Sequence, residues 1–279
     1  YLVGAAQIAK AWRLSGRNSP LKIVWSREDD IQGGYYRPSV LHKVEVDLAA
    51  DGGVMRWQHR IVGQSIIKGT PFESFLVKDG IDGTSVEGVA DTAYALPVSA
   101  SLHSPVQNVP VLWWRSVGHT HTAYVMETLV DEVATLTKQD PVALRRQLWG
   151  GKHPRHLAAL ELAVAKSGYG TRTLPKGRAW GVAVHESFGS VVAQVAEVKI
   201  ENGQPKVGRV VTAIDCGTPI SPDQIAAQME GGTCYGLSAA LFGAITLTDG
   251  VVDQGNFDTY RVLRNSEAPT VETYIVPST

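Results

Sequence analysis

The residues best equipped for chemistry stand together at Trp113-Trp114-Arg115-Ser116-Val117-Gly118-His119-Thr120-His121. An arginine brings five fixed donors and a permanent charge, two tryptophans bring broad apolar faces, and a glycine lets backbone come close to whatever the arginine addresses. Such a set suits a flat polar or anionic ligand. It equally suits an arginine that closes a salt bridge beside two core tryptophans. His119 and His121 have the i, i+2 spacing of two ligands on one strand face, and a metal-dependent hydrolase is the chemistry that spacing raises. No third histidine or carboxylate stands at a zinc-like spacing, so elbow and cap roles are expected and no direct side-chain ligation of a metal. Consecutive carboxylates do not converge on one cation, so Arg27-Glu28-Asp29-Asp30 reads as a solvated helix start or turn.

A second group follows Asp215. Ser221 as N-cap, Pro222 at the first helical position, Asp223 in the first turn and Gln224 three residues past the cap predict a helix with a capping box. Inside it, Gly231, Gly232 and Gly236 each cost about 1 kcal/mol relative to alanine, which points to close backbone approach by a ligand or by the preceding sheet. Gln228 shares their face, three and four residues before the first two. Phe188-Gly189-Ser190 offers a polar loop at the mouth of a strand, suited to an oxygen-rich ligand or simply to a turn.

These groups need elements to position them. Leu2, Ala5, Ala6, Ile8 and Ala9 give an opening helix, Pro20 to Ser26 reads as a buried strand, and Gly33 to Pro38 as a loop. Alternation from His42 to Ile67 around Asp51-Gly52-Gly53 predicts a hairpin. Residues 68–92 read as a long surface excursion with a short helix near Phe72 to Leu76, and Ala93 to Leu112 as proline-broken extended chain leading into a strand-to-helix elbow. Met126, Leu129, Val130, Val133 and Leu136 keep helical spacing, Pro141 opens a second helix, and a third runs from Pro154 to Lys166. Thr171 to Arg178 is the best boundary in the chain. After it come strands at Trp180–Val184, Ser190–Ile200 and Val207–Asp215, the helix with the glycines, a turn at Thr248-Asp249-Gly250, and a closing extended run from Thr270 to Val276.

The 279 residues are 44% hydrophobic and 19% charged, enough for one large domain or two ordinary ones. A net charge of -1 without a basic block gives no footprint for nucleic acid. No run reaches the roughly eighteen apolar residues that a membrane helix needs. Cys216 and Cys234 form no Cys-x-x-Cys pair and read as free buried thiols. The chain starts at Tyr1 within a helical pattern that lacks a start signal, as a piece of a longer protein would.

Several blocks, in order, resemble the molybdenum-binding large subunit of the xanthine dehydrogenase and aldehyde oxidase family. They are Trp25-Ser-Arg-Glu-Asp-Asp30 with Tyr35-Tyr-Arg-Pro38, Val86-Glu-Gly88 to Tyr94-Ala-Leu-Pro97, Trp114-Arg-Ser-Val-Gly-His119, Asp140-Pro-Val-Ala-Leu-Arg145, Phe188-Gly-Ser-Val-Val-Ala-Gln-Val-Ala-Glu197, Asp215-Cys-Gly217, Gln228-Met-Glu-Gly-Gly232, Gly236-Leu237 and Asn256-Phe257 to Tyr260. Their wording is most similar to the isoquinoline 1-oxidoreductase β-subunit type.

The resemblance implies a mixed α/β fold of two cofactor-binding segments, with mixed sheets and packed helices. Residues 1–173 would be the C-terminal part of the first molybdopterin-binding domain and 174–279 a large part of the second. It also implies a hydroxylase that oxidises an aldehyde or N-heterocycle with oxygen from water. The cofactor implied is molybdopterin with molybdenum, its cytosine dinucleotide form included. Electrons would leave through iron–sulfur clusters on a small partner subunit, and the remainder of the large subunit would be a further partner. Trp114, Arg115, Ser116, Val117 and Gly118 would line the molybdenum pocket, with Ser116 where the family's Arg-Gly-x-Gly-like loop commonly has glycine. Phe188, Gly189, Ser190, Gln228, Gly231 and Gly232 would contact the cofactor. The family's general-base glutamate, in a Gly-x-Gly-Glu segment, falls beyond Thr279, and Glu267 reads instead as a structural carboxylate near a turn. The Gly-Gly-x-Phe-Gly and Gly-Gln-Gly motifs are missing, so the segment alone would be inactive. A non-catalytic assembly module on the same scaffold is the alternative. A bacterial cytoplasm or periplasm would suit either.

Overall fold

The computed structural model describes residues 1–277. The chain opens with α1 (Leu2–Leu14), which has no side-chain cap and buries none of its residues. The strand expected at Pro20 to Ser26 does not form. Leu21 and Ile23 are half-buried, but the segment has no neighbouring strand to pair with, and Val24 is 74% exposed. Ser26 then starts α2 (Arg27–Gly33) with a capping box closed by Asp29, so the acidic run is spent on a helix N-terminus.

β1 (Val40–Leu48) and β2 (Val54–Gly63) form the expected antiparallel hairpin. Residues 64–97 are more than a surface excursion. They hold α3 (Glu73–Leu76) and the short pair β3 (Val77–Lys78) and β4 (Ile81–Asp82), and they send Ile67, Asp82 and Val89 fully into the interior. The extended chain expected from Ala93 to Leu112 contracts to β5 (Val98–His103), which joins β2 in parallel. Beyond it the elbow's strand side is a single bridge between Tyr36 and Val111, since Pro105 and Pro110 lack the donors that a ladder needs.

Three helices follow: α4 (His119–Leu136), α5 (Pro141–Trp149), capped by Asp140 on the Ala143 N–H, and α6 (Pro154–Ser167), which stops at left-handed Gly168. α4 turns Thr122, Met126, Val130 and Val133 inward at helical spacing. Next come β6 (Arg178–Ser187), β7 (Ser190–Glu201) and β8 (Gln204–Asp215), joined through two-residue turns at Phe188-Gly189 and Asn202-Gly203. All four turn residues have φ between 50° and 75°, the geometry that matches strand twist in tight hairpins. α7 (Pro222–Leu241) precedes the short pair β9 (Leu247–Thr248) and β10 (Val251–Val252), and β11 (Thr270–Ile275) closes the second sheet in the order β11-β8-β7-β6, parallel to β8. The capping box expected at α7 is not made, because Ser221 starts the helix without a side-chain cap bond. Cys216 and Cys234 are free but half-buried rather than buried.

Two compact units result. One comprises Tyr1–Gly34 and Gly243–Val262, fastened internally by Gln32 to the Val252 carbonyl and Asn256 to Glu28. The other runs from Tyr35 to Phe242 and from Leu263 onward, and its core contains Trp57, Ile61, Met126, Val130, Leu160 and Val191. Mixed sheets packed with helices make this the expected α/β class. Among the described residues, no helix is long and apolar enough to cross a membrane.

Candidate functional site

The loop Arg115–Gly118 is built by its own polar atoms and by a neighbour, Glu87, to which the sequence assigned no role. The Val117 N–H donates to the Trp114 carbonyl at 2.9 Å, and the Ser116 and Thr120 hydroxyls donate to the Arg115 carbonyl at 2.5 and 2.8 Å. Ser116 (φ 72°) and Val117 (φ 54°) are both left-handed. For a β-branched residue that conformation costs on the order of 1–3 kcal/mol and persists only where surroundings impose it. Gly118 is glycine because a Cβ there would run into the Thr84 carbonyl oxygen. Its N–H donates to Glu87 Oε1 at 2.7 Å. Burial pushes the Glu87 carboxyl up, while His119 and the N–H groups of Gly118 and His119 pull it back.

Arg115 projects from this loop to α7. Its guanidinium donates to Gln228 Oε1 at 2.9 Å, crosses the Tyr235 ring at 5.6 Å, and passes 3.5 Å from the point where a Cβ on Gly232 would lie. A side chain on Gly232 would make only ordinary van der Waals contact with Arg115, so the close approach expected of the glycines is not required by either the arginine or the sheet. Gly231 and Gly236 have nothing within 4 Å of that position. Trp114 tilts against Tyr235 with ring centroids 5.1 Å apart, and Arg37 sits over its other neighbourhood at 5.3 Å. Beside Arg115, Gln228 and Gly232 a groove of about 550 Å³ runs between α4 and α7 over β6 and β7, with Tyr124, Gln194 and Met229 among its walls.

The remaining expected residues lie elsewhere. Trp114, Val117 and Gly118 line a small cavity with Arg37 and His121. Phe188 and Gly189 form the β6–β7 turn, at the rim of a separate polar cavity of about 210 Å³ that His119, His156 and His185 share. Ser190 pairs with Ser187 to close that hairpin. The structure thus brings Arg115, Gln228 and Gly232 together and leaves Phe188, Gly189 and Ser190 apart from them.

His119 and His121 sit in the first turn of α4, not on a strand, and each meets another imidazole. His119 Nδ1 is 2.8 Å from His185 Nε2. His121 Nδ1 is 2.9 Å from His42 Nε2, whose Nδ1 is 2.7 Å from His59 Nε2. Burial lowers His42, His59, His121 and His185 to about 4, so these rings are neutral at physiological pH. Among the described residues, no group of three or more His, Cys, Asp or Glu could hold a metal ion. His42 and His59 are in phase with Val44, Trp57 and Ile61, so the alternation already turned them inward; for Glu87 and His185 no local pattern gives a signal.

Behind the groove lies a second polar group, fully buried. Glu127 accepts from the Tyr94 hydroxyl (2.7 Å), Arg145 Nε (3.0 Å) and the Val184 N–H (2.7 Å). Arg145 also donates to Asp131 and to the Pro141 and Val182 carbonyls. Burial pushes the Glu127 carboxyl up, and the guanidinium beside it pulls it back. The Arg145 donors are all used within the fold.

Residues 157–269 match the family model described as the molybdopterin cofactor-binding domain. The matched segment lies within a longer similarity. Over 282 aligned residues the chain is 30% identical to isoquinoline 1-oxidoreductase subunit beta of Brevundimonas diminuta, covering 99% of this chain and 35% of that protein. It is 26% identical to the membrane-bound aldehyde dehydrogenase (pyrroloquinoline-quinone) of Gluconacetobacter polyoxogenes, covering 100% and 39%. The chain therefore spans between a third and two fifths of the length of these curated relatives. Quinoline 2-oxidoreductase from Pseudomonas putida 86 superposes with a TM-score of 0.74 at 12% identity, over 92% of this chain and 57% of that one. CO dehydrogenase from Oligotropha carboxidovorans gives 0.69 at 10%, over 90% and 56%. These two likenesses concern the fold alone.

Proposed function

We propose that this chain is part of a molybdenum hydroxylase large subunit that oxidises an aldehyde or N-heterocycle with oxygen taken from water and passes the electrons to an iron–sulfur partner subunit. The observation that carries the reading is the meeting of Arg115 with Gln228 across Gly232, on a groove large enough for a small-molecule ligand. The names of the two curated relatives support the substrate classes, one an N-heterocycle and the other an aldehyde. They part over the cofactor, since the second carries a quinone in its name; the family-model match favours molybdopterin, in its plain or cytosine dinucleotide form. The same match supports a cofactor domain over most of 174–279; with it we propose that 1–173 belongs to a first such domain.

The residues fit such a group. A pterin is flat and rich in donors and acceptors, and its phosphate is anionic. Arg115 is exposed, lines the groove and, among the described residues, makes one side-chain hydrogen bond, so it keeps donors for a ligand. Gln228 spends its oxygen on Arg115 and keeps its amide N–H groups for a ligand. Bound there, the cofactor would supply the oxygen-transfer and redox chemistry. Arg115 would hold developing negative charge, Gln228 would orient the guanidinium, and Trp114 and Tyr235 would keep water from one side.

The test is Arg115→Ala and Gln228→Ala in the full-length protein, with molybdenum content and turnover of an aldehyde and an N-heterocycle as readouts. Arg115→Ala is expected to lower kcat/KM roughly 100-fold with the fold intact. Unchanged kinetics in both variants would return the groove to a structural role.

A further inference from the structure

We propose that Glu87 is the positioning residue of the Arg115 loop, an inference that rests on Arg115 addressing the cofactor groove. The bonds within the loop are local: Val117 to Trp114, and the Ser116 and Thr120 hydroxyls to the Arg115 carbonyl. They fix the shape of the turn but not its place. Place comes from the segment Thr84–Gly88, where Glu87 Oε1 accepts the Gly118 N–H and the Thr84 carbonyl fills the space a Gly118 side chain would need.

That segment is itself firmly seated. The buried Asp82 accepts from the Thr84 N–H at 2.9 Å, and the Gly88 N–H bonds Asp91 at 2.5 Å. Gly88 (φ 79°) is pressed against the paired rings of His119 and His185, where an added Cβ would come within 3.0 and 3.1 Å of them. Glu87 Oε2 is 3.8 Å from His119 Nε2, so the carboxylate is bracketed by the first two residues at the start of α4. α4 begins at Gly118 with no side-chain cap of its own. A carboxylate brought in from another segment satisfies an otherwise orphaned N–H and meets the positive end of the helix dipole. It decides where the helix starts, and hence where Arg115, three residues earlier, leaves the backbone. Released from Glu87, the first turn frays, and Ser116 and Val117 have no reason to stay left-handed. Arg115 then loses Gln228.

The experiment compares Glu87→Ala and Glu87→Gln with the parent in the full-length protein by hydrogen–deuterium exchange, with a peptide covering 112–122 as reporter and one covering 154–167 as control. Glu87→Ala should speed exchange of the reporter roughly tenfold and leave the control unchanged. Glu87→Gln keeps an acceptor and loses the charge, and should give a smaller acceleration confined to the same peptide. In turnover, Glu87→Ala combined with Arg115→Ala should be no worse than Arg115→Ala alone, because both remove one arrangement. Unchanged reporter exchange, acceleration spread equally over both peptides, or full multiplication of the two kinetic effects would each overturn the proposal. The exchange data stand without any turnover, so failure of the hydroxylase reading and failure of the positioning role are told apart.

Discussion

Two arginines in one compact unit have opposite fates. Arg145 is fully buried between α4, α5 and β6 and spends its donors on Glu127, Asp131 and two carbonyls. Arg115 stands exposed on a strained loop with one amide oxygen as its partner. A buried charge has to be answered completely, so Arg145 has nothing left to offer a ligand. Arg115 pays little to remain unsatisfied while water can reach it, and so keeps donors in reserve. Each residue stands in a family-like block of the sequence; solvent and partner count separate the two.

The sharpest way to break this comparison is Arg145→Ala. It strands the buried Glu127 carboxylate and should cost roughly 3–5 kcal/mol of unfolding free energy, measured by urea denaturation. A loss below about 1 kcal/mol would mean that the network is not what it looks like. Acid should give the next largest effect. The folded-state values of His42, His59, His121 and His185 lie near 4, below their ordinary 6.5, so the unfolded chain binds more protons between those limits. Stability from these rings is present above pH 6.5 and is lost as pH falls toward 4, by roughly 1–3 kcal/mol in all once partial solvation and coupling are allowed for. His42→Gln should flatten that acid limb in denaturation curves at pH 7 and pH 5. The smallest change is expected from Arg115→Ala, within about 0.5 kcal/mol of the parent in the same assay. A larger loss would place Arg115 with Arg145 after all.

How much of this was legible follows from the kind of signal each residue leaves. Periodicity carried the β1–β2 hairpin, the helices α4 to α6 and the meander of β6 to β8, because one buried face writes itself into every second or every third and fourth position. It misled at Pro20 to Ser26, where apolar residues met no partner strand. The glycines of α7 suggested a close approach that the structure does not require: Arg115 lies at ordinary contact distance from Gly232, and Gly231 and Gly236 face open space. Glu87 stands in the family-like block that starts at Val86, but nothing there marks its role. A single carboxylate in a glycine-rich stretch, thirty-one positions before the amide it holds, has no pattern, and its role comes only from the path of the chain. The imidazole of His185 was hidden likewise, inside a strand that read as ordinary alternation.

The row of rings behind the Arg115 loop has a direction. The Trp57 indole can only donate, and it donates to His59 Nδ1 at 3.4 Å. That assigns the proton of His59 to Nε2, which donates to His42 Nδ1; His42 in turn donates through Nε2 to His121 Nδ1. All three imidazoles then carry the same tautomer, and their dipoles add head to tail. The row ends with the N–H of His121, whose ring helps line the cavity beside Trp114. Side chains from two strands and a helix thereby do what stacked peptide units do along a helix: they align their dipoles without carrying a net charge.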